Sequence, residues 1–249
     1  MIAILSPAKN MVTLPGYDGA VTRPALMDRT LSLAEQLRQL NSWELEHLLR
    51  INPKLALEAF ARFQDFDPQH PGSPALLCYR GLAYRYLQAE TFSEPELAFA
   101  DKHIRLLSAF YGILRPLDGI QPYRLELQCR VKINGQDLYR FWGDAVYREL
   151  FASGETVINL ASGEYSKLVL PFCTPRDRVI TCDFVVNRKG KLQTIASHAK
   201  MARGKMARFL VQTGADSPEA LKEFCWNGYR FLPELSTGTR YLFLEEDLG

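Results

Sequence analysis

The sequence predicts an α/β fold of mixed α+β type, formed by a single domain over residues 1–249 around a central sheet. Short apolar runs bounded by turn residues, typical of buried strands, occur between longer segments with helical periodicity. No repeat, linker or low-complexity segment divides the chain, whose length suits one large domain. Because helices and strands do not alternate regularly, a simple series of βαβ units is not expected.

The amino-terminal part is predicted to be a strand followed by helices. The run "MIAILS" ends at Ser6-Pro7, as expected for a buried strand that leads into a loop. Asn41 with Glu44 three residues later resembles a capping box, and Asn52 before a proline is another helix start. Helices are therefore predicted over residues 26–40, 42–49 and 53–63.

The rest of the chain mixes both kinds of element. Ser93 and Glu96 form a second capping-box pattern, and Gly190 supplies a turn between two strands in "RVITCDFVVNRKGKLQTIAS". Further strands are predicted in "HIRLLSAFYG", "ETVINLAS" and "TRYLFLEE". Further helices are predicted in "DLYRFWGDAVYREL", in "SHAKMARGKMARFL" and after Ser217-Pro218.

The charge of the chain is small overall but unevenly distributed. The formal net charge is +2, which does not by itself indicate a nucleic-acid-binding protein. Residues 176–208, however, contain nine Lys and Arg and only two acids. This basic region indicates a phosphate-bearing partner, with a solvated charged face as the alternative.

Composition also argues against several classes of protein. No apolar run approaches the roughly 20 residues that span a bilayer, and "MIAILSPAKN" lacks the features of a secretory signal. The five cysteines and four histidines are scattered, without ligand spacing or a C-x-x-C pair. We therefore expect a cytoplasmic protein with reduced thiols, no metal site, no cofactor and no membrane partner.

Two short motifs follow predicted buried strands. "LSPAK" places Ser6 and Lys9 at the end of the first strand, and "INLASGEY" places Ser162 and Glu164 at the end of another. Clefts in open α/β sheets form at such strand ends. Ser162 is a candidate N-cap of a helix that runs to Leu170. The N-terminus of such a helix would favour an anion. The alternative for Lys9 is an ordinary solvent-facing lysine. No P-loop, nucleophile elbow, dinucleotide-binding or zinc-protease motif occurs.

A proline-rich stretch, "YGILRPLDGIQPYRLEL", brings polar side chains together over residues 111–127. Proline fixes φ, which lowers the entropic cost of orienting the side chains beside it. Arg115 and Arg124 carry planar guanidinium groups suited to phosphate, and Tyr123 offers a ring that can stack on a base. The alternative is a network of salt bridges, with Asp118 and Glu126 as partners, that only stiffens the loop.

The basic helix "SHAKMARGKMARFL" contains four Lys and Arg and no acid. Its helical periodicity predicts an apolar stripe formed by Ala202, Met206, Phe209 and Leu210. Gly204 lowers helix stability by about 1 kcal/mol relative to alanine. It would open a notch beside Lys200 and Arg203, which repel each other mildly, whereas Lys205 lies at the far edge of the stripe. The pattern favours a ligand notch at Gly204 over an ordinary solvated surface, and the alternative is close packing of another element on the glycine.

Seven distinctive blocks occur in order over nearly the whole chain: "LSPAK", "ARF", "LQAETFSEPEL", "LLSAFYGILRPLDGIQPYRLEL", "LYRFWGD", "INLASGEY" and "AKMARGKMARF". In these blocks the chain resembles the YaaA family of peroxide stress proteins. The resemblance implies a cytoplasmic protein induced by hydrogen peroxide that limits damage by keeping unincorporated iron low. It further implies binding of duplex and branched DNA through a positively charged cleft.

The resemblance also implies a mixed α/β fold peculiar to the family, with a helix-hairpin-helix element. In this chain that element is placed at the basic helix, the "TGADSP" turn and the helix after Pro218, with the "YGILRPLDGI" turn as the alternative. Residues of the blocks with phosphate-binding chemistry are the candidate DNA-binding or anion-binding residues: Lys9, Arg115, Tyr123, Arg124, Lys200, Arg203 and Lys205.

Three functional hypotheses follow. The first is a DNA-binding stress protein without chemistry of its own and without an obligate protein partner. The second is an enzyme that uses Lys9 and Lys200, either as a lyase on damaged DNA or on a phosphorylated small molecule. The third, direct iron binding, ranks last because the sequence shows no ligand cluster. The implied effect on iron is therefore expected to be indirect.

Overall fold

The computed structural model describes residues 1–245, which form a central mixed sheet surrounded by helices. The strands are β1 Ile2–Leu5, β2 Asn10–Met11, β3 Ser73–Pro74, β4 Tyr79–Arg80, β5 Ile104–Ser108, β6 Gly112–Leu114, β7 Gly119–Ile120, β8 Val157–Asn159, β9 Val179–Arg188, β10 Lys191–Gln193, β11 Tyr229–Phe231 and β12 Arg240–Glu245. The α-helices are α1 Met27–Arg38, α2 Ser42–Leu49, α3 Pro53–Gln64, α4 Ala75–Cys78, α5 Leu82–Leu87, α6 Glu94–His103, α7 Leu138–Trp142, α8 Ala145–Leu150, α9 Gly163–Ser166 and α10 Ala196–Thr213. Shorter 3₁₀ helices occur at Ala89–Thr91, Leu170–Phe172, Pro218–Glu223 and Pro233–Leu235.

The central sheet has eight strands, seven of them in the order β11-β12-β9-β8-β1-β5-β6, with β10 paired to β9 as a hairpin. The five inner strands from β12 to β5 run parallel, and β11 and β6 are antiparallel to their neighbours at the two edges. The predicted α/β class with a central sheet is confirmed. The domain bounds 1–249 stay a prediction, because residues 246–249 lie outside the described part.

Strand β1 lies inside this sheet because its residues are apolar on both faces. All four of its residues are buried, as is typical of a parallel strand covered on both sides. It pairs with β5 on one side, where Leu5 lies opposite Leu106, and with β8 on the other, where Ile4 lies opposite Asn159. The chain leaves β1 towards β5 and leaves β8 towards β9, so the two connections diverge between β1 and β8. Such a reversal leaves a crevice at the carboxyl ends of the two strands.

The predicted helix starts are confirmed by their hydrogen bonds. The Asn41 Oδ1 atom accepts the Glu44 N–H at 3.0 Å, and the Glu44 carboxylate accepts the Asn41 N–H at 2.8 Å. Asn52 caps α3 by accepting the Leu55 N–H at 2.9 Å. Ser93 donates its N–H to the carboxylate of its capping-box partner at 2.7 Å. These caps satisfy backbone donors that a helix start leaves unpaired, which is why the local sequence identifies them.

Three predicted helices differ from the observed ones. The segment over residues 137–150 is broken into α7 and α8 at Gly143, whose φ of 52° a glycine adopts without strain. The helix after Ser162 ends at Ser166, and the chain continues with i to i−3 hydrogen bonds instead of reaching Leu170 as an α-helix. The helix after Ser217 is a 3₁₀ helix.

The "VNRKGKLQ" strand pair and the terminal strand follow the prediction. Lys189 and Gly190 both have positive φ, as in the tight hairpin turns that match the twist of the flanking strands. The terminal strand β12 pairs in parallel with β9. The last residue of the predicted "TRYLFLEE" strand lies outside the described part of the chain.

Helix α10 packs across α5 at Gly204, as the alternative of close packing on the glycine expects, whereas binding of a ligand beside it stays a prediction. A Cβ atom on Gly204 would lie 2.0 Å from the carbonyl oxygen of Ala83. Gly204 and Ala207 are buried, in addition to predicted core residues of α10 such as Met206. The glycine therefore allows a close backbone contact between two helices, and it also borders a cavity together with Lys200 and Arg203.

The two placements considered for a helix-hairpin-helix element do not show two α-helices. Helix α10 ends at Gly214 in the left-handed conformation, and the segment that follows is the 3₁₀ helix Pro218–Glu223. The "YGILRPLDGI" turn connects β6 and β7. Among residues 1–245, no helix has the length and apolar character needed to cross a membrane.

The contact at Gly204 predicts that Gly204→Ala destabilises the protein, although alanine is the better helix former. The clash with Ala83 should outweigh the helix-propensity gain of about 1 kcal/mol, since overpacking a close contact costs about 1–3 kcal/mol. The free energy of unfolding, measured by denaturant titration, should fall.

The matched control is Gly238→Ala, because no atom lies within 4 Å of a Cβ at that position. We expect its free energy of unfolding to stay close to that of the wild-type chain. An unchanged or higher stability for Gly204→Ala would show that α5 can move aside.

Candidate functional site

A cavity of about 300 Å³ lies at the carboxyl ends of β1 and β8, where the sheet topology predicts a crevice. Leu5 and Ser6 line it from the end of β1, and Leu160 and Ser162 line it from the end of β8. The start of α5 and the first half of α10 complete the wall. Both strand-end motifs identified in the sequence therefore contribute to one site.

Two serines connect the strand ends at the base of this cavity. Ser6 Oγ accepts the N–H of Ser162 at 2.8 Å and donates to Ser162 Oγ at 3.1 Å. The Tyr84 hydroxyl donates to the backbone oxygen of Ser6 at 3.0 Å, which joins α5 to the same point. These bonds hold the loops after β1 and β8 together. Within the described part of the chain, the helix that begins after Ser162 receives no hydrogen bond from the Ser162 side chain.

Four cationic side chains line the cavity: Lys9, Arg80, Lys200 and Arg203. Two carboxylates, Glu126 and Glu164, also line it, so the cations exceed the acids by two. Lys9 forms an ion pair of 2.8 Å with Glu126. Lys9, Arg80 and Lys200 are exposed, whereas Arg203 is half-buried. The mouth of the cavity is therefore the more positive and more hydrated part.

Glu164 and Arg203 are half-buried members of the cavity wall, and burial shifts the pKa of each. Burial raises the pKa of the Glu164 carboxyl, and the backbone of Gln128 acts in the opposite direction. Burial lowers the pKa of the Arg203 guanidinium, against the field of Asp183. Of residues 1–245, these two also retain enclosed polar atoms, Glu164 Oε1 and Arg203 Nε, that form no hydrogen bond.

The remaining wall of the cavity is mainly apolar. It includes the buried side chains of Tyr84, Leu125, Leu160 and Tyr165, and the half-buried Leu82 at the start of α5. Gly81 precedes α5, and a Cβ there would lie 2.9 Å from Cβ of Ala8, so the loop after β1 approaches this helix closely. The site thus has an apolar interior beneath a cationic mouth.

The structure brings together three of the seven candidate site residues, Lys9, Lys200 and Arg203. Arg115 lies elsewhere, because its guanidinium pairs with the buried Asp101 beside Asp118, which accepts the Arg115 N–H at 2.7 Å. For Arg115 the alternative interpretation, a salt-bridge network that stiffens the loop, describes the observed contacts.

Tyr123, Arg124 and Lys205 also lie away from the cavity wall. Tyr123 is buried and hydrogen-bonded to Tyr79 and Ser108, each at 2.8 Å, so its ring is not available to stack on a base. Its burial raises the pKa of its hydroxyl to about 12.

Arg124 borders a separate small depression between α2 and the loop that follows β7. Lys205 faces α5 instead, where its ammonium lies 5.8 Å from the centre of the Tyr86 ring. Neither orientation follows from the order of residues in the sequence, because both depend on how the helices pack.

Sequence reasoning missed Arg80 and did not select Glu164 as a site residue. Arg80 is the second residue of the two-residue strand β4, and its guanidinium donates to the backbone oxygens of Leu77 and Tyr79. Its one local signal is Gly81, which follows it and occupies the N-cap position before α5. Glu164 was expected at the end of a strand, but its partial burial and its closeness to the backbone of Leu127 and Gln128 could not be read locally.

No three His, Cys, Asp or Glu side chains within residues 1–245 lie together in an arrangement that could hold a metal ion.

Comparison with known proteins shows the family of this chain. A family described as "Peroxide stress protein YaaA" matches residues 1–235. A UPF0246 protein of Agathobacter rectalis is 37% identical over 98% of both chains. A UPF0246 protein of Acaryochloris marina is 41% identical over 98% of this chain and 99% of its own. One from Clostridioides difficile is 36% identical over 99% of this chain and 100% of its own. With a match of this extent, the chain belongs to the YaaA family of peroxide stress proteins.

Proposed function

We propose that this chain is a DNA-binding protein of the hydrogen peroxide stress response, and that the mouth of the cavity binds backbone phosphates of duplex or branched DNA. The observation that carries the proposal is the convergence of Lys9, Arg80, Lys200 and Arg203, from separate parts of the chain, on one cavity. Lysine and arginine neutralise phosphates and release counterions, which supplies most of the affinity of DNA binding.

The spacing and burial of these cationic side chains support an anionic ligand. Lys200 and Arg203 are one helical turn apart, and an anion between them would relieve their repulsion. Arg203 is partly withdrawn from water with an enclosed Nε donor, so a bound phosphate would compensate part of its desolvation. Lys9 and Lys200 are exposed and can reach a ligand as large as DNA.

This proposal predicts that Lys9→Ala with Lys200→Ala weakens duplex binding. The slope of log affinity against log salt is negative, and each lost phosphate contact should reduce its magnitude by about 0.9. We therefore expect the magnitude of the slope to be smaller by about 2 in the double variant. The measurement is a fluorescence anisotropy titration of duplex and branched DNA over a range of salt concentrations.

The matched control is Lys54→Ala with Lys132→Ala, which removes two exposed lysines that do not line the cavity. Its affinity and salt slope should remain close to those of the wild-type chain. If both double variants lose the same affinity, binding follows the overall charge of the protein and the cavity is not the DNA site.

We also propose that the protein limits unincorporated iron in stressed cells, and that it does so through its action at DNA. Cells that carry the Lys9→Ala, Lys200→Ala variant in place of the wild-type chain should then accumulate more iron detectable by electron paramagnetic resonance after a peroxide challenge. Cells with the Lys54→Ala, Lys132→Ala control should resemble wild type. A wild-type level of unincorporated iron in cells with the Lys9→Ala, Lys200→Ala variant would show that the effect on iron does not depend on this site.

A catalytic role is the second candidate function, because the cavity contains Glu164 with a raised pKa beside the cationic mouth. Groups with perturbed pKa values in a cleft mark functional sites more often than chance. In the lyase version, a lysine amine adds to the aldehyde of an abasic site and water leaves to form a Schiff base.

The lyase version predicts that borohydride traps the protein covalently on DNA that contains an abasic site. Lys9→Ala or Lys200→Ala should abolish the adduct, depending on which amine reacts, and mass spectrometry of the adduct identifies it. Absence of an adduct under conditions where the duplex is fully bound would remove the lyase hypothesis and leave DNA binding intact.

A further inference from the structure

The cavity contains two chemically different regions. Its interior is formed by leucine and tyrosine side chains, among them Tyr84, Leu160 and Tyr165, which are buried. Its mouth carries the exposed ammonium groups of Lys9 and Lys200. A ligand that uses both regions has an apolar, compact body joined to an anionic group.

The volume of the cavity limits the size of that body. About 300 Å³ is at the lower end of the range found for small-molecule sites, roughly 300–1,000 Å³. A DNA duplex does not enter a space of this size. A single base with its sugar does, as in proteins that act on a nucleotide after it leaves the base stack.

Two enclosed polar atoms show what the ligand must offer. Within the described chain, Glu164 Oε1 and Arg203 Nε belong to residues of the cavity wall and form no hydrogen bond. A buried polar atom without a partner costs about 1–3 kcal/mol, so such atoms in a cavity point to a ligand that pairs with them. Arg203 Nε donates, whereas the carboxyl of Glu164 accepts, or donates when it is protonated.

A nucleobase meets these requirements better than other phosphate-bearing ligands. Its edges carry donors and acceptors, and its flat faces suit an apolar wall. A sugar phosphate would bury several hydroxyls against residues such as Leu125 and Leu160 without partners. An alkyl phosphate would leave the polar atoms of Glu164 and Arg203 unpaired.

We propose that the cavity binds one nucleotide unit, with its base in the apolar interior against Glu164 and Arg203 and its phosphate at Lys9 and Lys200. The nucleotide is either free or a residue displaced from the stack of a DNA strand. In the second case the inference rests on the proposed DNA-binding function, and the experiment separates the two sources.

The main variant is Leu82→Trp, which fills the half-buried side of the cavity and leaves the cations in place. Its matched control is Leu57→Trp, since Leu57 is 61% exposed on α3 and does not line the cavity. A second variant, Glu164→Leu, removes the hydrogen-bonding carboxylate and keeps a side chain of similar size. Losing a negative charge should strengthen phosphate binding, so a weaker affinity can only come from a lost contact with the base. Thermal denaturation establishes that each variant is folded.

One arm of the experiment measures binding of adenosine monophosphate by calorimetry. The wild-type chain and Leu57→Trp should bind it. Glu164→Leu should bind about tenfold more weakly, the factor for one lost hydrogen bond of ordinary strength, and Leu82→Trp should lose binding because the indole fills the cavity. The other arm uses duplexes that carry the fluorescent base aminopurine opposite a mismatch. Its fluorescence should rise when the base leaves the stack, with the wild-type chain and Leu57→Trp but not with Leu82→Trp.

A response in either arm that is lost in Leu82→Trp, or weakened in Glu164→Leu if Leu82→Trp does not fold, supports the nucleotide site and identifies its source. No response in either arm, or equal responses in Leu82→Trp and Leu57→Trp, overturns it. Salt-dependent duplex binding that still requires Lys9 and Lys200 would, in that event, leave the proposed DNA-binding function standing. If duplex binding no longer required Lys9 and Lys200 but nucleotide binding were intact, the nucleotide site would stand and the proposed DNA-binding function would fall.

Discussion

The site depends on the pairing of β1 with β8, because this is where the chain leaves the sheet in opposite directions. The two strands run parallel, with Ile4 opposite Asn159, so both end at the same edge of the sheet. The next segments diverge and leave a crevice, which residues of α5 and α10 border. The bonds between Ser6 and Ser162 then hold the crevice at a defined width.

A second constraint is the close contact of α10 with α5 at Gly204. The glycine weakens α10 as an isolated helix, and the contact with Ala83 uses the space that its missing side chain leaves. As a consequence, Lys200 and Arg203 lie against the crevice beside the start of α5. The same residue that lowers local helix stability therefore brings the cations of α10 to the site, and desolvation of Arg203 accompanies that packing.

The sequence anticipated this arrangement in part. "LSPAK" and "INLASGEY" were both expected at strand ends, and they meet because strands of equal direction end together. The expected phosphate-binding roles of Arg115 and Tyr123 relied on their closeness along the chain. In the fold, Arg115 turns to Asp101, and the ring of Tyr123 enters the core. Side chains on consecutive residues of an extended segment point to opposite faces, so neighbours in sequence need not share a site.

What the sequence by itself determined are features with a local physical cause. The caps at Asn41, Asn52 and Ser93 follow from unpaired backbone donors at helix starts, and β1 follows from a short apolar run. The tertiary structure alone decided that Gly204 is covered by another helix, and that Glu164 Oε1 is enclosed without a hydrogen-bond partner, as seen in the described chain. These features depend on contacts between segments far apart in sequence, and no short-range pattern of residues encodes such contacts.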